Sequence, residues 1–316
     1  MAATTKNIEK TIDSDPGLDI DSILGFRYLS DAIEHEIRAF WYFTWRDWSA
    51  AIIPGTMCTI AALRALDSTA SAGLIARSLA RSVLYCLLFL YSFNIANQIN
   101  GVAEDQINKL DRPLPSGRVS LRGAYIRWHA MTVAYLAAGA AWGVLPWTAL
   151  WVFITICLTF CGGDKHWATK NVLFMTVGSL CLLQGAWGLV APPSARETRW
   201  TVLLSSAFGI LASLQDLRDI EGDRVAGRRT LPIVLGDNFR WVMAALSCAV
   251  PAACWKLEFL HYSHVLVGYC GAVLTLSTFY MAYRILRGSS SKYDHKTYMI
   301  LTYVFCGCIA VPMLFP

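Results

Sequence analysis

Nine times along this chain, about twenty mostly apolar residues follow one another with scarcely a charge between them. A helix needs roughly that many to cross the hydrocarbon core of a bilayer. The runs fall at about 48–66, 75–97, 122–141, 143–161, 171–191, 200–217, 239–260, 264–286 and 296–315. In lipid every backbone polar group must be satisfied within the segment or a closed barrel, so runs of this length are helices. Charged residues make up only 16% of the chain against 55% hydrophobic, whereas a soluble domain carries about a quarter charged. That excludes an ordinary cytosolic domain, a disordered chain and a disulfide-stapled secreted module. The ten cysteines lie almost entirely inside the apolar runs and form no CxxC pair. They read as small buried hydrophobes rather than zinc ligands or disulfides. The expected fold is therefore all-α and integral to the membrane, about nine transmembrane helices in a bundle. The net charge of +5 reports topology, not a nucleic-acid partner.

Residues 1–24 are polar and acidic, with no apolar core and small-residue cleavage site, so a floppy tail is expected rather than a cleavable signal peptide. Residues 25–47 mix charges with Trp41, Tyr42, Phe43 and Trp45, the composition of an amphipathic helix lying in the membrane interface. Residues 48–316 form the transmembrane domain. The loops after runs two, four, six and eight hold most of the Lys and Arg, from Lys109, Arg112 and Arg118 through Arg228 and Arg229 to Lys292. Those after runs three, five and seven hold little beyond Arg196, Arg199 and Lys256. Cytoplasmic loops are the basic ones, so the amino terminus is expected in the cytosol and the carboxyl terminus, nine crossings later, on the other side. A eukaryotic chain of this kind would sit in the endoplasmic reticulum, although no address is encoded.

Two charged segments interrupt the pattern where runs two and six emerge on the basic side. One is NIANQINGVAEDQINKLDRPLPSGR, from Asn94; the other is SLQDLRDIEGDRVAGRRTLP, from Ser213. Each passes from a helix into a turn rich in carboxylates and amides, then a basic stretch, then a proline. The same device four runs apart implies two repeated halves whose ends converge on one site. Asp216, Asp219 and Asp223 stand at i, i+3 and i+7, one face of a helix; Asn97, Gly101 and Asp105 are spaced by four, with Glu104 and Asn108 at the edges. Oxygen ligands on adjoining helices suit magnesium, which is commonly held by one or two carboxylates together with a substrate phosphate. Asn97, Glu104, Asp105, Asp216, Asp219 and Asp223 are the candidate ligands. Lys109, Arg112, Lys170 and Arg228 are the candidate partners for phosphate oxygens. Acids and bases together predict a site for a diphosphate bridged by magnesium. A solvated cytosolic rim would also account for one such cluster. Two clusters in the same register make it the weaker account, because so many acids brought together without a counter-ion would repel.

At these residues the chain resembles the UbiA superfamily of intramembrane prenyltransferases. Its first motif, approximately NDxxDxxxDxxNKxxRPLPxG, is matched by Asn97, Asp105, Asn108, Lys109, Arg112, Pro113, Leu114, Pro115 and Gly117. Its second, DxxDxEGDxxxGxxxLP, is matched by Asp216, Asp219, Glu221, Gly222, Asp223, Gly227, Leu231 and Pro232. The resemblance implies nine helices, magnesium, and an isoprenyl diphosphate substrate such as farnesyl or geranylgeranyl diphosphate. It also implies that Asn97, Asp105, Asp216, Asp219 and Asp223 do the catalytic work and that Lys170, in the turn DKHWATKN, contacts diphosphate. The family's two leading aspartates are Gln98 and Gly101 here, which should weaken or move the first magnesium site. This form is similar to that of the fungal terpene cyclases of the superfamily, including the cyathane-type and bergamotene-type enzymes.

The chemistry implied is ionisation of the diphosphate, giving an allylic cation held among the spans away from water. Tyr91, Phe93, Trp151, Trp187 and Phe208 are the aromatic side chains that could face it, none of them distinguished by sequence from ordinary packing. Attack by the chain's own double bonds gives a cyclic terpene, the reading the altered first motif favours. Attack by an aromatic acceptor would make the protein a prenyltransferase. A transporter is the third reading, but its path would need polar residues in midspan, where little beyond Gln184 is found. His129 and His166 have no ligand partner at i+4 and read as interface histidines.

Overall fold

The structure, a computed structural model, describes residues 20–66, 70–256, 265–288 and 290–314. The polar tail expected over 1–24 lies outside the described residues as far as residue 19. Two compact units divide after Tyr42. In the first, helix α1 (Ile20–Thr44) carries Leu29, Ile33, Ile37 and Trp41 four residues apart and exposed, beside a Glu34–Arg38 ion pair.

Among the described residues of the second unit the regular structure is helical, apart from one isolated bridge between His166 and Arg229. Within the described residues, each of the nine apolar runs overlaps a helix. In order these are α2 (Ile52–Ala65), α3 (Ala72–Asn100), α5 (Leu121–Ala141), α6 (Leu145–Thr159), α7 (Met175–Gly188), α8 (Ala195–Leu211), α11 (Asn238–Lys256), α12 (Val265–Arg287) and α13 (Ser291–Leu314). Short helices α4 (Val102–Asn108), α9 (Ile220–Val225) and α10 (Leu231–Leu235) fill the charged interruptions. Among the described residues three helical stretches are long and apolar enough to cross a membrane: Ala72–Asn100, Ala168–Gly188 and Ala195–Arg218. At 1.5 Å per residue, α2 and α6 reach only about 21 and 22 Å.

Local sequence sets the starts. Ser71 and Ser120 accept from the amides of Leu74 and Gly123, and Ser194 forms a capping box with Glu197. Such caps satisfy helix-start donors and are each worth about 1 kcal/mol. Packing then pairs α3 with α5, α2 with α13, α7 with α8, and α11 with α12. Small residues permit the close approaches expected between membrane helices. A Cβ at Gly209 would lie 2.7 Å from the Thr176 backbone, and one at Gly178 would lie 2.5 Å from the Trp151 ring. Two cores result, one around Tyr85, Phe89, Tyr135 and Trp151, the other around Trp187, Trp200, Phe208, Phe239 and Ile309. Some buried hydroxyls are tied into the ladder, as where Thr59 reaches Ser82 at 2.7 Å and the Ala186 carbonyl at 2.9 Å.

Candidate active site

Both long helices that carry the acidic motifs end in a break and restart as a short helix. Helix α3 stops at Gly101 (φ −93°, ψ 14°), yet backbone bonds from Gly101 to Asn97 (2.8 Å) and from Asp105 to Gly101 (2.9 Å) carry the stripe on into α4. Helix α8 tightens into a 3-10 turn, Ala212–Arg218, and breaks at Asp219 before α9. The two short helices pack on each other, so the interruptions do converge. Gly117 and Gly227, at φ +72° and +67°, lie in the turns after them, where a left-handed backbone favours glycine.

The 3-10 turn changes the expected single face of aspartates. At three residues per turn, Asp216 and Asp219 stack above one another, and both line the cavity below. Asp219 turns to Lys109, 3.0 Å away, whereas Asp216 and the fully buried Asp223 share Lys170 at 3.3 and 3.2 Å. Lys109 also holds Glu104 at 2.9 Å, joining the two motifs. Asp105 is completely buried, with both oxygens 2.7 Å from Arg112 Nη1. It is not among the described residues that line the cavity, though Asn97, Glu104, Lys109, Arg112, Lys170 and Arg228 are. All nine residues singled out for catalysis or diphosphate binding therefore meet in one polar head, with Asp105 and Asp223, both fully buried, behind its wall.

Charges this close fix one another's ionisation. Burial alone would raise the Glu104 carboxyl, but Lys109 and Arg228 outweigh it and hold it at about 2. Asp223 moves the other way: burial pushes it up, aided by repulsion from Asp216 and Glu104, against the pull of Lys170. Burial likewise raises Asp105 against the attraction of Arg112.

Several residues in the site were not singled out from sequence. Asp164 accepts from Arg228 Nε at 2.8 Å and from Asn100 at 3.0 Å. Asn171, in the π-helical entry Ala168–Phe174, donates to Asp216 at 2.5 Å and accepts from the Leu231 amide at 3.0 Å. Asp47 and Arg218 line the cavity mouth; Asp47 accepts from Asn94 at 2.9 Å and Arg218 lies over the Tyr298 ring. The turn DKHWATKN offered a signal for Asp164 and Asn171, since a carboxylate and an amide flank its lysines, but their partners lie 45 to 64 residues away.

Beneath this head lies a cavity of about 240 Å³. Phe89 and Trp151 stack on each other in its wall at 4.0 Å and 8°, Phe174 and Phe93 stand 5.1 and 5.3 Å from Trp151, and Phe208 and Phe305 complete the wall. Of the aromatic side chains considered from sequence, Phe93, Trp151 and Phe208 face the cavity. Tyr91 pairs with Phe43 instead and Trp187 with Trp200. Gln184 is buried against Thr201 at 2.5 Å; His129 contacts the Tyr125 carbonyl, and His166 accepts from the Ala168 amide.

The donor set fits a divalent cation that arrives with an anion. Among the described residues no three His, Cys, Asp or Glu converge on a ready-made metal cage. Asp216 and Asp223 nevertheless approach one point closely enough to share the Lys170 ammonium. Two carboxylates completed by water and phosphate oxygens are the usual protein share of a magnesium site.

A charged head at the end of a membrane-type helical bundle, over an apolar aromatic chamber, has the shape and polarity to fit an amphiphile with an anionic end. The chain belongs to the UbiA prenyltransferase family, whose pattern it matches over residues 51–305. It is 38% identical to the diterpene cyclase eriG of Hericium erinaceus over 281 residues, 88% of each chain. It is 37% identical to the polyprenyl transferase eriF of the same organism, over 87% of this chain and 93% of that one. The somaliensene A/B synthase of Streptomyces somaliensis is 35% identical over 276 residues, 84% of this chain and 89% of that one. In fold, a UbiA homolog from Archaeoglobus fulgidus bound to GPP and Mg2+ superposes with a TM-score of 0.64, covering 86% of this chain and 99% of that one at 15% identity.

Proposed function

We propose that the protein ionises an isoprenyl diphosphate of farnesyl or geranylgeranyl length inside the membrane and closes the freed chain into a cyclic terpene. The observation that carries this is the vertical order of the site: a lattice of Lys109, Lys170, Arg112 and Arg228 directly above a chamber walled by Phe89, Phe93, Trp151, Phe174 and Phe208. The relatives named a diterpene cyclase and a somaliensene synthase support it.

In this reading Lys109, Lys170 and Arg112 swing part of their bonding from carboxylates to diphosphate oxygens. Asp216 and Asp223, freed of Lys170, and Asp219, freed of Lys109, are left to hold magnesium together with Asn97. When bound, magnesium supplies positive charge beside the departing diphosphate. Asp105 acts by fixing Arg112. The aromatic faces stabilise positive charge on the hydrocarbon, each by about 0.5–2 kcal/mol, and exclude water from it. The chain crosses the membrane nine times with its amino terminus and site in the cytosol, as the basic loops and the matching helices support. Helix α1 lies in the interface on its exposed apolar stripe. In a eukaryotic cell the membrane is that of the endoplasmic reticulum.

Transfer of the prenyl group to an aromatic acceptor is the second reading, supported by near-equal identity to a polyprenyl transferase. The discriminating experiment incubates membranes holding the protein with magnesium and farnesyl or geranylgeranyl diphosphate, with no acceptor. The hydrocarbon extract is then analysed by gas chromatography–mass spectrometry. A new cyclic hydrocarbon, absent with chelator and absent from Asp219→Ala, is expected. Product only once an aromatic acceptor is supplied would establish transfer instead.

A further inference from the structure

Arg228 is 5% exposed and reaches three carboxylates from three different segments. Its Nε lies 2.8 Å from Asp164 in the turn after α6; its Nη1 lies 3.3 Å from Asp223 in the second motif and also bonds Glu104 in the first. One fixed cation thus binds both acidic motifs together, which is the place a bridging metal ion would take. The backbone beside it is altered to match. Position 101, where the family pattern has an aspartate, is glycine. A Cβ there would lie 2.9 Å from the Asn97 carbonyl oxygen and 3.7 Å from both Arg228 Nη2 and Glu104 Oε2. The guanidinium borders the space into which an aspartate side chain would extend, and already supplies the contact to Glu104 there. Gln98, at the other altered position, is buried with its Oε1 unbonded, and a carboxamide brings no charge to hold a second ion.

We propose that Arg228, held in place by Asp164, substitutes for a metal ion at the junction of the two motifs, so that the site takes one divalent cation with its diphosphate, on the Asp216–Asp223 side, rather than two. Arginine suits the part, because its guanidinium is always charged and presents five donors in a rigid fork. This inference rests on the diphosphate reading above and fixes its metal count.

The test counts bound metal without turnover. Purified full-length protein in nanodiscs is titrated with Mn2+ in the presence of saturating farnesyl thiolodiphosphate, an unreactive analogue. Bound Mn2+ is counted by electron paramagnetic resonance. One ion per chain is expected for the wild type, and two for Arg228→Gln, in which Glu104, Asp164 and Asp223 are released to ligate. Two ions in the wild type would overturn the proposal. A count of one in both proteins would assign the loss to Gln98 and Gly101 alone and overturn the part given to Arg228. Should Arg228→Gln not fold, the wild-type count still decides. No bound Mn2+ in the wild type, with or without the analogue, would instead sink the diphosphate–metal reading on which the inference stands.

Discussion

Lys170 lies 3.3 Å from Asp216 and 3.2 Å from Asp223, and the site's response to protons follows from what those carboxylates must do. A carboxyl raised in the folded protein takes up its proton at a higher pH than usual and then ceases to be a ligand. Asp223 is raised by burial, by Asp216 and by Glu104, so kcat/KM should fall on the acid side at a pH above the ordinary aspartate value of 3.8. Glu104 is shifted oppositely: its ion pairs are fully formed above its ordinary 4.5 and fail only as pH falls toward about 2. They therefore survive the whole acid limb. A pH–rate profile whose limb lies at or below 3.8 would contradict this assignment. Asp105 and Arg112 make a sharper case, since Asp105 is wholly enclosed. Removing one partner of a buried pair leaves an uncompensated charge and costs roughly 3–5 kcal/mol. Arg112→Gln should lower the Tm by several degrees, and Asp105→Asn/Arg112→Gln should recover part of that loss. A double variant no more stable than Arg112→Gln would show that Asp105 is not held by this pair. Asp105→Ala, Asp219→Ala and Asp223→Ala should each abolish turnover with membrane expression intact, and near-normal activity in two of the three would displace the site. Asp164→Asn leaves Arg228 one charged partner short, a loss on the order of a hydrogen bond between charged groups, about 1.5–3 kcal/mol. Inhibition by inorganic diphosphate should weaken about tenfold and recover in Asp164→Glu; equal inhibition in all three proteins would remove Asp164 from the site.

At the scale of the element, hydrophobic length made the helices readable and the charges between them marked the site. Their order along the chain, α3 into α4 and α8 into α9, came directly from where the apolar runs stop. The winding did not. An i, i+3, i+7 pattern of aspartates reads as one α-helical face, and nothing local announces that Ala212–Arg218 tightens to three residues per turn, or that residues 168–174 loosen into a π-helix. Both are settled by tertiary partners: Asn171 must reach Asp216 and the Leu231 amide at once. Asp164 could not be assigned a role for the same reason: its turn hinted at a site, but its partners Arg228 and Asn100 each lie 64 residues away. The chamber likewise depends on how α6 and α7 meet. Trp151 lies flat against Phe89 because Gly178 offers no side chain, and a Cβ there would stand 2.5 Å from the indole ring. Gly178→Ala must push the ring into the chamber. The product profile, or the preference between farnesyl and geranylgeranyl diphosphate, should change while inhibition by inorganic diphosphate stays the same. An unchanged profile would place Trp151 outside the reacting volume.

For the molecule as a whole, the position of the charges is dictated by the membrane. Carboxylates and guanidinium groups halfway across a bilayer cost several kcal/mol each, whereas at the ends of α3 and α8 they remain close to water and to one another. A diphosphate whose head belongs at that level and whose tail belongs below it meets the same gradient, so the site and its substrate are sorted by one force. The basic loops must then share one side of the membrane with the site. Cys161, the one exposed cysteine of the ten, lies in the turn next to Asp164 and should react with an impermeant maleimide from the cytosolic side of sealed microsomes. Ser194→Cys, at the exposed cap of α8, should react only after the membrane is opened. An odd number of crossings places the two ends of the transmembrane unit on opposite faces. A tag before α1 should therefore be accessible with Cys161, and one after α13 with Ser194→Cys. Tags accessible together on one side would require an even number of crossings, and α2 or α6, too short at 14 and 15 residues to span a bilayer of ordinary thickness unaided, would be the first to lose its place as a span.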